Sequence, residues 1–125
     1  MSADPASVHA EHEPLEFGGS HWQHALWILA AMTALRLLIA AVVPLFPDET
    51  YYWDWSRQLA GGYFDHPPVI ALLIAGGTAL FGDSPLGVRL LPVLAGTLGG
   101  FALIRTTCHL AGARAARYAS LVFAV

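Results

Sequence analysis

The chain has 125 residues, of which 56% are hydrophobic and 12% are charged, and its net charge is −3. Soluble domains carry about 25% charged residues, so this composition favours burial in a membrane. The small net charge argues against a nucleic-acid partner, and the single cysteine, Cys108, excludes an internal disulfide.

The first 21 residues are polar, and their prolines and glycines predict a disordered tail. Three histidines, His9, His12 and His21, stand among glutamates in this segment, so a metal site is a second interpretation of it. The segment has no basic region at its start and no small-residue cleavage site, which excludes a secretory signal peptide.

Three apolar segments predict membrane spans over residues 24–43, 86–107 and 115–125 onward. About 20 apolar residues are needed to cross a hydrocarbon core of roughly 30 Å. Because the last apolar segment is still running at Val125, we interpret the chain as the first part of a longer polytopic, all-α membrane protein. Arg36 is the charged residue inside the first span, and we expect it either to snorkel or to pair within the bundle.

The loop between the first two predicted spans, residues 44–85, is acidic and rich in aromatic residues. Pro44 and Pro47 end the first span, and residues 48–59 then predict a short amphipathic helix that lies in the interface. A second short helix is predicted from Pro67 to about Phe81, too short for an ordinary span. Glycines at 96, 99 and 100 predict close helix packing in the second span.

The arginines indicate which way the chain crosses the membrane. Arg105, Arg114 and Arg117 lie around the loop between the second and third spans, whereas the 44–85 loop holds Arg57 among five acidic residues. The positive-inside rule therefore places the basic loop and the N-terminal tail in the cytoplasm and the acidic loop outside.

Asp48 and Glu49 follow Pro47 at the predicted start of the first interfacial helix. A carboxylate in this position can act as a general base toward a hydroxyl group. Either residue could instead simply cap the helix, because acidic side chains stabilise helix N-termini.

Asp65 and His66 precede a double proline that restricts the backbone, and Arg89 lies in the first turn of the second span, near the same face. Asp65 could bind a divalent ion, cap the next helix or orient His66. A protonated His66 and Arg89 could both contact a phosphate, although Arg89 could equally snorkel or pair with Asp83. Tyr52 and its aromatic neighbours could line a lipid or sugar, or anchor the helix in the membrane.

Three segments together resemble the N-terminal part of bacterial glycosyltransferase family 39 proteins. This GT-C family includes protein O-mannosyltransferases and lipid A aminoarabinose transferases. The resemblance covers about residues 35–125 and depends on the order and spacing of the three segments. They are Pro-Asp-Glu-Thr-Tyr-Tyr-Trp-Asp-Trp-Ser at 47–56, Gly-Tyr-Phe-Asp-His-Pro-Pro at 62–68 and Phe-Gly-Asp-Ser-Pro-Leu-Gly-Val-Arg-Leu-Leu-Pro at 81–92.

The resemblance implies that residues 22–125 are the N-terminal part of a GT-C transmembrane domain in a bacterial inner membrane. It implies a sugar donor carried on a polyprenyl phosphate and a lipid, glycan or protein acceptor. The catalytic base maps onto Asp48, with Glu49 in support, and the motif near the lipid phosphate or a divalent metal maps onto residues 64–67. The aminoarabinose transferases usually have lysine where this chain has His66 and arginine where it has Tyr51.

Two other interpretations stay open at this point. The chain could be a segment of a transporter or flippase, which the charged Arg36 and the short helices would fit. It could also be a non-catalytic, truncated product. The transporter interpretation predicts polar residues near the middle of the bilayer, whereas the polar residues of this chain cluster in the 44–85 loop.

Overall fold

A computed structural model describes residues 19–64 and 66–124, and all the secondary structure in these ranges is helical. The helices are α1 (Ser20–Val42), α2 (Pro47–Ser56), α3 (Val69–Phe81) and α4 (Pro85–Ala124). The prediction of an all-α protein is therefore confirmed. The predicted disorder of the tail and a metal site at His9 and His12 concern residues outside the described ranges.

The observed helices start and end close to the predicted positions. α1 begins at Ser20, four residues before the predicted span, so that the last two residues assigned to the tail are helical. The sequence Gly82-Asp83-Ser84-Pro85, with two capping candidates before a proline, predicts a helix start, and α4 begins there. Pro85 lies in the first turn, and the backbone N–H of Gly87 donates to Ser84 Oγ at 3.0 Å.

The helix α4 reverses direction at Gly112, whose φ of 82° lies in the left-handed region that favours glycine. Residues 85–111 form its first arm and residues 113–124 its second arm. The ring of Phe123 packs directly on Gly100, which shows that the second arm folds back along the first. The two arms correspond to the predicted second and third spans, but a one-residue reversal replaces the predicted loop between them.

α1 packs against both arms of α4. The Thr33 and Thr97 hydroxyls are 2.9 Å apart, and Arg89, near the start of α4, reaches the carbonyl of Val43 just after α1. α1 is therefore antiparallel to the first arm. The core between the helices excludes solvent and includes the fully buried Cys108, as expected for a structural thiol. Its buried members are Ala25, Leu29, Ile104, Cys108 and Ala116.

Arg36 makes contacts inside the bundle. Its Nη2 donates to the carbonyl of Phe123 at 3.3 Å, and its guanidinium lies 5.4 Å from the centre of the Phe123 ring. Of the two expectations for this charge, the structure supports the one in which it pairs within the bundle.

Close packing occurs at one of the three predicted glycines, Gly100, which lies under the Phe123 ring, and at two glycines of α3 that were not predicted. Gly77 lies so near the carbonyl of Gly87 that an added Cβ would collide with it, and a Cβ on Gly76 would come 2.8 Å from Leu91 Cδ1. Gly96 and Gly99 have open space around them, so the prediction for these two was wrong. They lie on an unpacked side of the helix, a fact that their spacing could not reveal.

Two of the described helices, α1 and α4, are long and apolar enough to cross a membrane. α3 is also apolar but has only 13 residues, which gives a length of about 20 Å. Large apolar side chains such as Trp27, Leu98, Leu110 and Val122 are mostly exposed on the bundle. An exposed apolar surface of this kind is expected where lipid replaces water as the solvent.

Candidate active site

The candidate site lies where α1 ends and α4 begins, around the short helix α2. Pro47 occupies the first position of α2, where its lack of an N–H costs nothing. The backbone N–H of Phe46 donates to Glu49 Oε2 at 2.8 Å, and Thr50 Oγ1 donates to the carbonyl of Pro47 at 2.6 Å. These bonds fix the first turn of α2, which carries both predicted catalytic carboxylates.

Glu49 and Arg89 form a two-pronged ion pair across 40 residues of sequence. Arg89 Nε donates to Glu49 Oε1 at 2.6 Å, and Arg89 Nη2 donates to Glu49 Oε2 at 2.5 Å. The Arg89 side chain is only 12% exposed and that of Glu49 28%. This paired geometry gives both strength and a defined orientation.

The same guanidinium also binds the end of α1. Nη1 donates to the carbonyl of Val43 at 2.7 Å and Nη2 to that of Pro44 at 2.9 Å, so four of the five N–H donors of arginine are used. We call Arg89, Glu49 and these two carbonyls the arginine clamp. It joins the end of α1, the start of α2 and the start of α4.

The clamp lowers the pKa of the Glu49 carboxyl below its ordinary value of 4.5, chiefly through the hydrogen bonds from Arg89. The backbone N–H of Phe46 acts in the same direction, while partial burial opposes both. Glu49 is therefore held as a carboxylate that stabilises the site. Its oxygens are engaged by the protein itself, a geometry typical of a supporting residue.

Asp48, by contrast, is exposed beside the clamp. Within the described ranges its carboxylate makes no hydrogen bond or ion pair. Because Asp48, Tyr52 and Trp55 are separated by four and three residues, they share one face of α2. Glu49 and Trp53 share another face, where they contact α4 and the turn before it.

Tyr52 and His66 come together although 14 residues separate them. The Tyr52 hydroxyl lies 3.2 Å from His66 Nε2, and the ring centres are 5.2 Å apart. Trp55 lies 5.6 Å from the His66 ring. The structure thus brings two of the predicted binding residues onto the Asp48 face of α2.

Sequence reasoning overlooked Tyr63 and underrated Asp83. The Tyr63 ring stacks on Trp55 with a centre-to-centre distance of 4.6 Å, and its hydroxyl bonds the carbonyl of Trp55 at 2.9 Å. Asp83 accepts a bond from Trp53 Nε1 at 3.0 Å and faces Arg57 at 3.8 Å. The sequence suggested Asp83 only as a helix cap or as a partner for Arg89, which pairs with Glu49 instead. The sequence feature that could have indicated a role for Tyr63 is its position directly after the two glycines that end the α2 segment.

The predicted role of Asp65 concerns a residue outside the described ranges. Within residues 19–64 and 66–124, no three His, Cys, Asp or Glu side chains are grouped so that they could hold a metal ion. The described residues alone therefore do not form a binding site for the divalent ion that the sequence suggested.

Residues 65–125 match the protein family described as dolichyl-phosphate-mannose-protein mannosyltransferase. A lipid A galacturonosyltransferase of Rhizobium johnstonii is 37% identical over 68 residues, which are 54% of this chain and 14% of that protein. A polyprenol-phosphate-mannose–protein mannosyltransferase of Corynebacterium glutamicum is 30% identical over 100 residues, covering 68% of this chain and 19% of that protein. No solved structure matches the chain.

The chain thus spans less than a fifth of the length of the two curated relatives. Both relatives are named as glycosyltransferases and neither as a transporter, so the transporter interpretation is not favoured. The match to the Corynebacterium protein also agrees with the resemblance that the three sequence segments indicated.

Proposed function

We propose that this chain acts in sugar transfer from a polyprenyl-phosphate donor. The premise is that the chain is a partial member of the GT-C glycosyltransferase family, which residues 65–125 match. The acceptor would be a hydroxyl group on the outer face of a bacterial inner membrane. The described residues form the part of such a site that holds the general base.

The face of α2 that carries Asp48, Tyr52 and His66 is the observation on which the proposal depends. Asp48 is exposed and unbonded there, while the neighbouring arginine clamp holds its helix turn in place. A general base must be accessible to its substrate and yet fixed in position, and this arrangement meets both needs.

The proposed step is a single displacement. Asp48 accepts the proton of the acceptor hydroxyl as the oxygen attacks the anomeric carbon of the sugar. The bond from that carbon to the phosphate oxygen breaks, and polyprenyl phosphate leaves with the bonding electrons. Attack from the side opposite the leaving group inverts the configuration at the anomeric carbon.

His66 is the described residue best suited to meet the phosphate. Its Nε2 is oriented by Tyr52 at 3.2 Å on the same face as Asp48, and a protonated imidazole would bind the negatively charged phosphate of the donor. Arg89 was a second candidate, but most of its donors are engaged in the clamp. We therefore assign Arg89 and Glu49 to positioning.

The relatives indicate the range of sugars and acceptors for the proposal. By their names, one transfers galacturonic acid to lipid A and the other transfers mannose from a polyprenol phosphate to protein. A polyprenyl-phosphate sugar is the donor chemistry in the second name, and we extend it to this chain. Lipid, glycan and protein acceptors all stay within the proposal.

Radiolabelled transfer in membranes tests the proposal. Membranes that contain the wild-type protein, Asp48→Asn or Asp54→Asn are supplied with a radiolabelled polyprenyl-phosphate sugar, and label in acceptor fractions is measured. Asp54 is a matched control because it is an exposed aspartate of the same helix, on a different face from Asp48. We expect transfer to be lost in Asp48→Asn and retained in Asp54→Asn at equal protein levels.

Other results would contradict the proposal. Equal transfer by the wild type and Asp48→Asn would exclude Asp48 as the base. Label that crosses the membrane without becoming attached to an acceptor would support the transport interpretation instead.

A further inference from the structure

A groove of about 440 Å³ lies between α1 and the second arm of α4, at the end of the bundle opposite the arginine clamp. α1 contributes its first turns to the groove, and the second arm contributes residues beyond the reversal at Gly112. The lining residues are His24, Trp27, Ile28, Ala31, Arg117 and Leu121.

The polarity of the groove changes along its length. His24 and Arg117 lie at the end nearest the start of α1 and the reversal, and the lining becomes apolar toward Ala31 and Leu121. Because each helical residue adds 1.5 Å, the distance along α1 from His24 to Ala31 is about 10 Å. A groove that is basic at one end and apolar along the rest has the same order of polarity as a phospholipid, with its phosphate above its acyl chains.

The charge at this end of the bundle favours an anionic ligand. Arg117 forms no ion pair with any carboxylate in the described ranges, and its guanidinium lies 5.6 Å from the ring of Tyr118. The acidic residues that the structure describes, Asp48, Glu49, Asp54 and Asp83, all belong to residues 44–85. Arg105 and Arg114 add positive charge near the reversal.

Trp27 supports a lipid as the occupant. Its side chain is 73% exposed along the groove although it belongs to an apolar helix. Tryptophan is enriched at membrane–water interfaces, where its ring lies at the level of the head groups. An exposed tryptophan beside the groove is therefore consistent with an occupant whose head group and acyl chain meet at this level.

We propose that this groove binds one anionic phospholipid from the leaflet at the basic end of the bundle. Arg117 and His24 bind the phosphate, and one acyl chain lies along Ile28, Ala31 and Leu121. The site is separate from the candidate active site, and the proposal does not depend on the proposed transfer reaction.

Spin-labelled lipids test the proposal on the full 125-residue chain reconstituted into bilayers. Electron spin resonance measures the fraction of phosphatidylglycerol and of phosphatidylcholine that the protein immobilises. We expect phosphatidylglycerol to be preferred about fivefold, the factor that one basic side chain near a membrane surface contributes.

Variants locate the lipid. Arg117→Gln should abolish the preference and Arg117→Lys should keep most of it, while Arg105→Gln is a control because Arg105 is exposed outside the groove. Ala31→Trp should fill the apolar part and reduce the immobilised fraction of both lipids. Circular dichroism confirms that each variant retains its helix content.

Three results would overturn the proposal. One is the absence of any preference for phosphatidylglycerol in the wild type. Another is an equal loss in Arg117→Gln and Arg105→Gln, which would indicate diffuse charge rather than a site. The third is stronger lipid binding after the tail glutamates, Glu11, Glu13 and Glu16, are replaced by glutamine, which would identify the tail as the occupant.

Discussion

Arg89 binds both carboxylate oxygens of Glu49 and, with the same guanidinium, the carbonyls of Val43 and Pro44. One side chain thus satisfies a carboxylate and two carbonyls at the point where α1 ends. Helix ends leave such carbonyls without partners inside the helix. The clamp therefore holds the first turn of α2, which carries Asp48, against the end of α1 and the start of α4.

Arg89→Lys should loosen the clamp while it keeps the charge. A lysine ammonium is a point charge that cannot bridge two carboxylate oxygens and two carbonyls at once. We expect the free energy of unfolding to fall by about 2 kcal/mol, the scale of hydrogen bonds to charged groups. Denaturant titration in micelles measures this change.

The same variant should also slow the proposed transfer by up to about a hundredfold, because a base that is displaced by an ångström loses its alignment with the acceptor. Arg105→Lys is the matched control, since Arg105 is exposed toward the far end of the first arm of α4, away from the clamp. A variant Arg89→Lys with wild-type stability would show that the clamp contributes little.

The lowered pKa of Glu49 predicts how stability depends on pH. A carboxyl group with a lower pKa in the folded state stabilises the protein fully above its unfolded pKa, and this contribution is lost as the pH falls through the folded value. The loss should therefore begin near the ordinary value of 4.5 and continue below it.

Glu49→Gln isolates this contribution, because glutamine fills the same space without titrating. The wild type should be more stable than Glu49→Gln at neutral pH, and the difference should shrink as the pH falls below 4.5. Denaturation curves across this range measure the difference. If the gap stayed constant, the ionisation of Glu49 would not be what stabilises the clamp.

Tyr52→Phe should weaken donor binding with little effect on the maximal rate. The change removes the hydroxyl that lies 3.2 Å from His66 Nε2 and leaves the ring in place. The loss of one hydrogen bond of this kind costs about 1 kcal/mol, which corresponds to a roughly fivefold rise in KM for the polyprenyl-phosphate sugar. Steady-state kinetics separates this effect from a change in kcat.

Tyr51→Phe is the control for this prediction, because the Tyr51 ring lies 4.5 Å from Trp55 and its hydroxyl makes no hydrogen bond in the described ranges. In a His66→Ala background the effect of Tyr52→Phe should disappear. If it persisted, the Tyr52 hydroxyl would act independently of His66.

The lengths of the helices could be predicted from local features of the sequence, whereas the contacts between distant segments could not. Apolar length predicted α1, and the cap at Ser84 and Pro85 predicted the start of α4. The pairing of Glu49 with Arg89 depends on how α1 and α4 pack, and Arg89 had several equally good partners in the sequence. Capping residues and apolar length do not indicate which of these partners Arg89 binds.

The candidate site shows the same limit. The sequence indicated Asp48, Tyr52 and His66 as separate candidates, and helical spacing alone places the first two on one face of α2. The approach of His66 to that face requires the turn after Gly62 and the stacking of Tyr63 on Trp55. Glycine allows many backbone conformations, so the spacing of residues in the sequence does not determine the path of this turn.

Gly77→Ala should destabilise the protein, because the added methyl group would collide with the carbonyl of Gly87 where α3 crosses α4. Overpacking of this kind costs about 1–3 kcal/mol when the backbone cannot move away. Thermal unfolding in micelles measures the loss. Because α3 also contacts α2, we expect a parallel fall in the proposed transfer activity.

Gly96→Ala is the matched control, since it adds the same methyl group to a helix at a position with open space around it. That change should be neutral or stabilising by up to about 1 kcal/mol, because alanine loses less backbone entropy in a helix than glycine does. Equal effects of the two substitutions would mean that helix propensity, and not the contact with Gly87, determines the outcome. A loss confined to Gly77→Ala would establish that the α3–α4 crossing requires a glycine there.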